Sequence, residues 1–133
     1  MTFLDTNVIL RYLTWDDAKK ANRCAHLFQR VAAGKETLTT STLVIADVIW
    51  TLEKAYKLSR SKIAEIVAKI LNTPNIELQE KEILLATLRL YELKKIDFID
   101  AYHAISMQAK DISSLHSYDT DFDSIPSLKR LEP

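Results

Sequence analysis

The sequence predicts an α/β protein with a mostly parallel sheet. Two observations carry this: short strand-like segments alternate with longer stretches of helical period, and short-chain acids recur where strands end or helices begin. Such alternation implies right-handed βαβ units with the sheet lying between helices. At 133 residues the chain suits one domain, 1–133, and it holds no internal repeat, low-complexity tract or evident boundary.

The first strand is short, about Thr2 to Leu4, and the chain then turns into Val8-Ile9-Leu10-Arg11-Tyr12-Leu13. Asp16 or Asp17 caps the next helix, where Ala21, Cys24, Ala25, Phe28, Val31 and Ala32 share one apolar face. Gly34, the chain's one glycine, fits the left-handed end of that helix. Thr37-Leu38-Thr39-Thr40 reads as a strand, and Ser41 as the N-cap of a helix over Leu43–Lys57. Leu58-Ser59 breaks and recaps the chain before the amphipathic run Ile63, Ile66, Val67, Ile70, Leu71. After the turn Asn72-Thr73-Pro74-Asn75 come a strand at Ile76–Leu78 and helices at Lys81–Lys94 and Phe98–Ala109. Ser114–Tyr118 is a further strand, and Ser127–Leu131 a final edge strand after Pro126.

Composition narrows the function. Lone Cys24 excludes a disulfide framework and a cysteine-based zinc site, and is read as core. A single glycine excludes a P-loop and a dinucleotide fingerprint. Hydrophobic content of 47% with zero formal net charge suits a globular protein, and a neutral total can still hide a local basic rim. No apolar run nears the roughly 20 residues that span a bilayer, and the N-terminus is unlike a signal peptide, so a cytoplasmic protein without a membrane partner is expected.

Five acids stand out. Asp5 ends the first strand, Asp47 interrupts an aliphatic helix, Asp100 opens another helix, and Asp119 and Asp121 follow a strand. Carboxylates embedded in core-forming segments are costly unless paired, neutralised or bound to a cation. In parallel α/β sheets ligands gather beyond the carboxyl ends of the strands, the edge where Asp5, Asp100 and Asp119 are expected. Asp47 shares its helix face with Leu43 and Trp50, opposite the Val44, Val48, Leu52, Ala55 stripe. Mutually repelling carboxylates without histidine or thiolate partners suit magnesium, or manganese, and such a centre is equipped for phosphodiester hydrolysis.

These residues resemble the PIN-domain ribonucleases, and most the VapC-type toxins of prokaryotic toxin–antitoxin pairs. The likeness spans nearly the whole chain. It rests on Phe3-Leu4-Asp5-Thr6-Asn7-Val8-Ile9-Leu10, the helix acid Asp47, Asp97-Phe98-Ile99-Asp100-Ala101-Tyr102-His103-Ala104, and Ser117-Tyr118-Asp119-Thr120-Asp121-Phe122. It implies an α/β/α sandwich, Mg2+- or Mn2+-dependent endoribonuclease activity on an RNA substrate, a homodimer, and inhibition by a small VapB-like antitoxin. By position, Asp5, Asp47, Asp100 and Asp119 match the catalytic acids, and Asp5, Asp100, Asp119 and Asp121 the metal ligands. Asn7 and Ser117 match organising polar residues, with Thr6 a further supporter. Aspartate at 47 stands where the family usually has glutamate, so its metal contact is expected through water.

Taken singly, Asp5 also reads as a helix cap, Asp100 as a complement to a helix dipole, Asp119 and Asp121 as a solvated turn, and Asp97 as a cap or surface acid. His103 is a possible border of the cleft, although a structural or interface histidine is the commoner reading, and His26 and His116 carry no ligand-like spacing. Trp15, Trp50 and Tyr102 are read as core or interface aromatics, with base stacking as the alternative. Arg11, Lys54, Lys57, Arg60, Lys94 and Lys95 are candidate phosphate contacts. Competing functions are a PIN-family RNA-processing nuclease without an antitoxin and a non-catalytic interaction module of the same fold. A phosphoryl-accepting receiver domain fits poorly, because Asp47 is borne on a helix and Asp119-Thr120-Asp121 comes late.

Overall fold

Serine caps and one glycine fix much of the local architecture. A computed structural model describes residues 1–133, which pack as two units, Met1–Glu80 and Lys81–Pro133. The first holds β1 (Thr2–Phe3), α1 (Thr6–Thr14), α2 (Ala18–Ala32), β2 (Leu38–Thr39), α3 (Thr42–Lys54), α4 (Arg60–Leu71) and β3 (Ile76–Glu77). Ser41 accepts from the Val44 N–H at 3.2 Å to start α3, and Ser59 does the same for Lys62 at the start of α4. Asp17 caps α2 through the Lys20 N–H at 3.1 Å. Asp16 is used differently, accepting from Arg11 and from the Tyr56 hydroxyl. Gly34, at φ 78°, takes the left-handed turn that frees the chain from α2. The segment after Asp5 forms a helix, α1, and α3 stops at Lys54 because Lys57 turns left-handed at φ 53°.

The strands pair in parallel in the order β1-β2-β3, with Thr2 opposite Leu38 and Leu38 opposite Ile76. They are shorter than the sequence pattern suggests. Their carboxyl ends are tied by side chains: the Thr40 hydroxyl donates to the Leu4 carbonyl at 2.8 Å, and the Thr42 hydroxyl donates to Glu80 at 2.6 Å. Leu4, Leu38, Ile45, Ile49, Leu52, Ile63 and Val67 are buried in this unit, each worth roughly 1.5–3 kcal/mol relative to exposure. The Tyr12 and Phe28 rings lie 4.4 Å apart and join α1 to α2.

The second unit holds α5 (Lys81–Leu93), α6 (Phe98–Ala109), β4 (Ser114–His116), a 3₁₀ turn (Thr120–Ser124) and β5 (Lys129–Leu131). The α5–α6 hairpin buries Leu84, Leu88, Tyr91, Phe98 and Ala101, with Tyr91 and Phe98 edge to face at 6.0 Å. β5 pairs with β4 in parallel, Leu115 opposite Arg130, so the expected final edge strand is present. Phe122 and Ile125 anchor the turn between them by burial. Mixed α/β structure with parallel strands is therefore the fold class.

Candidate metal centre

β4 ends at His116, and the next residues turn sharply. The Asp119 N–H donates to Ser117 Oγ at 3.0 Å, and the Asp119 carboxylate accepts from the Asp121 N–H at 2.9 Å. These two short loops direct Asp119 and Asp121 toward Asp100, in the first turn of α6, and oxygens of all three carboxylates lie within 4.8 Å of one another. Burial first, then hydrogen bonding and charge repulsion from Asp119 and the charge of Asp97, hold the Asp100 carboxyl above the ordinary carboxylate range; His103 acts in the opposite direction. An all-oxygen donor set under mutual repulsion fits a hard divalent cation such as magnesium or manganese, which would relieve the repulsion. A groove of 410 Å³ adjoins the cluster, with Asp100, His103, His116 and Ser117 in its walls.

Ser117 holds the Asp119 N–H through its Oγ, and His116, given no role from spacing, borders the groove. Arg130 escapes sequence reasoning altogether. Its Nη1 donates to the Ser117 carbonyl at 3.1 Å, and its guanidinium grips Asp123 at 2.9 and 3.2 Å and Glu132 at 2.9 Å. Arg130 therefore braces the loop that carries Asp119 and Asp121 from both sides. These contacts raise its pKa still further above the usual arginine value, chiefly through Asp123. The one available signal was an arginine in a strand otherwise flanked by loop acids.

Asp5 and Asp47 belong to the other unit. Asp5 leaves the carboxyl end of β1 at the N-cap position of α1, yet its side chain makes no capping hydrogen bond, which removes the cap explanation for it. Asp47 lies on α3 opposite Val44, Ile45, Val48, Ile49 and Leu52. The expectation of carboxylates embedded in the core needs correction. Asp5, Asp47, Asp119 and Asp121 are exposed and Asp100 is only partly buried: Asp47 lies away from the apolar stripe of α3, Asp5 stands at a helix N-cap, and Asp119 and Asp121 lie in the turn after β4. Asp97 occupies the N-cap position of α6 without a capping bond. Trp15 and Trp50 are exposed at 50% and 62%, so neither is a core aromatic. Asn7 is exposed near the start of α1, and Thr6 is half-buried beside it.

The class is an α/β fold with parallel strands that carries a cluster of three aspartates beyond a strand end. The PIN domain family model matches residues 2–128, and the chain belongs to that family. It is 26% identical over 122 residues to a protein named VapC ribonuclease from Aquifex aeolicus (strain VF5), covering 92% of this chain and 90% of that one. Among solved structures it is similar to Mycobacterium tuberculosis VapC20, described as a sarcin–ricin-loop-cleaving toxin, at 17% identity and a TM-score of 0.41 over the full length of both chains.

Proposed function

We propose that this chain is a divalent-metal-dependent endoribonuclease acting as the toxin of a VapBC-type pair. The observation that carries the reading is the convergence of Asp100, Asp119 and Asp121 in a chain of the PIN family. The Aquifex relative, named a ribonuclease, supports RNA as the substrate. In this reading Asp5, Asp47, Asp100 and Asp119 are the catalytic acids. Asp5, Asp100, Asp119 and Asp121 are the metal ligands, supported by Asn7 and Ser117. Residues 1–133 act as one PIN-like domain.

Bound magnesium or manganese would lower the pKa of attacking water and offset charge on the phosphate. The chain's own contribution is placement. Ser117 and the Asp121 N–H fix Asp119, and burial makes Asp100 a carboxylate that gains by meeting a cation. No helix is long and apolar enough to cross a membrane, which accords with a cytoplasmic setting. A homodimer and a VapB-like antitoxin complete the proposal. Leu43 and Trp50, 81% and 62% exposed, are apolar surface that a protein partner would cover.

The direct test is RNA cleavage by metal-stripped protein with magnesium or manganese restored. Cleavage that depends on the added ion and stops with chelator is expected; undiminished cleavage by stripped protein refutes the mechanism. Light scattering at micromolar concentration checks the dimer, and a lone monomer counts against it.

A further inference from the structure

α1 and α2 enclose a groove of 280 Å³ lined by Asn7, Val8, Arg11, Lys20, Arg23 and Cys24. Asn7 and Arg11 are one turn apart on α1, and Lys20 and Arg23 one turn apart on α2, so each pair occupies a single helix face. A chain with no formal net charge has gathered three cationic side chains and an amide in one groove. The neighbouring acids are already engaged. Asp16 accepts from Arg11 Nη1 at 2.9 Å and from Tyr56, and Asp17 accepts from the Lys20 backbone N–H to cap α2. Neither Lys20 nor Arg23 enters a salt bridge.

The lining also includes the buried thiol of Cys24 and the half-buried Val8. Burial pushes the Cys24 thiol up, with Arg11 opposing, so this wall adds no negative charge near neutral pH. An uncharged, partly apolar wall lowers the local dielectric and strengthens attraction of an anion by the cations above it. The guanidinium of Arg23 offers the planar fork that matches phosphate oxygens, and Lys20 adds a point charge. Lys20 and Arg23, with Cβ atoms about 5–6 Å apart as for any i, i+3 pair, can contact one phosphate or two successive ones. Asn7, one of the lining residues, is two positions from Asp5 at the start of α1.

We propose that the α1–α2 groove binds backbone phosphates of the single-stranded RNA substrate, through Lys20, Arg23 and the Asp16-oriented Arg11. This rests on the nuclease reading for its substrate, and its test is made without turnover.

Labelled single-stranded RNA is titrated against the full chain with metal chelated, and binding is followed by anisotropy across salt concentrations. Lys20→Gln/Arg23→Gln should lower the slope of log K against log salt by about 1.4, from about 0.7 per lost phosphate contact. Lys20→Gln alone should lower it by about 0.7. Affinity near physiological salt should fall about tenfold for the double variant, on the order of 1.4 kcal/mol. Both side chains are exposed, so circular dichroism should show an unchanged fold. RNA with neutral methylphosphonate linkages should bind wild type and double variant alike.

An unchanged slope in the double variant overturns the proposal. So does displacement of RNA by inorganic phosphate at equal concentration, which would make this a free-phosphate site. Loss of antitoxin binding with RNA binding intact overturns it in favour of a protein partner. A wild type that cleaves no RNA with any divalent metal defeats the nuclease reading, while the binding slope still decides the groove.

Discussion

The Asp119 carboxylate accepts a 2.9 Å hydrogen bond from the backbone N–H of Asp121, and that bond sets two acids side by side. Asp119 also occupies the N-cap of the 3₁₀ turn whose Phe122 is buried. A local capping interaction and a hydrophobic anchor therefore place two of the proposed metal ligands. Asp100 arrives independently, from the first turn of α6. Charge repulsion among the three is the cost of this placement, and a cation relieves it.

Asp100→Asn separates function from stability. Its carboxyl is held above the ordinary carboxylate range, chiefly by burial, so the folded chain holds that proton more tightly than the unfolded chain does. The ionised form consequently destabilises the metal-free fold once pH exceeds the ordinary carboxylate range, and the cost is fully present above the raised folded value. At neutral pH with chelator, Asp100→Asn should melt above wild type, and the difference should vanish well below pH 3.8. RNA cleavage should fall roughly 100-fold or more, on the scale of a lost metal-site carboxylate. Wild-type turnover by the folded variant removes Asp100 from the catalytic set.

Asp47 tests reach. Because it is exposed on α3, Asp47→Ala should shift stability by less than about 0.5 kcal/mol. Metal-dependent cleavage should weaken in that variant, while Asp47→Glu should preserve it and lower the metal concentration needed. Cleavage measured against metal concentration, beside melting temperature, is the check. An unchanged metal dependence in Asp47→Ala rules the residue out.

Thr40→Val keeps the shape of the side chain but removes the hydroxyl bonded to the Leu4 carbonyl, immediately before Asp5. Thr40 is buried, at 7% exposure, so the loss should cost about 1–3 kcal/mol of stability by denaturant unfolding. Cleavage should fall as well, since the exit of β1 sets the Asp5 carboxylate. A stable variant with reduced kcat supports positioning; an unaffected kcat confines Thr40 to the fold.

Arg130→Met retains much of the stem while cutting the ties to Ser117, Asp123 and Glu132. Metal affinity or kcat should fall by about 10- to 100-fold, as for a residue that orients ligands without touching the ion. Titration of the variant with manganese should show the weaker binding directly. Equal affinity and turnover would limit Arg130 to surface pairing.

Much of the local structure was legible because its causes are local. Ser41, Ser59 and Gly34 mark helix ends by side-chain acceptance or a left-handed backbone, and the spacing of Val44, Val48 and Leu52 marks the face of α3 that is buried. Asp16 and Asp17 were harder to separate. Capping needs only geometry to Lys20, whereas the choice depends on Arg11 and on Tyr56, which is distant in sequence.

By itself the sequence determined the α/β class, the parallel strands and the family, since period, caps and motif order are written in neighbouring residues. Tertiary structure decided which of the acids meet. Asp100, Asp119 and Asp121 converge because α6 and the turn after β4 fold onto one another, and Arg130 braces that turn from a strand formed later in the chain. It also decided exposure, turning acids that interrupt apolar runs toward solvent, and brought Arg11 together with Lys20 and Arg23 across two helices. Contacts between distant segments depend on the packing of whole elements, and no local pattern records them.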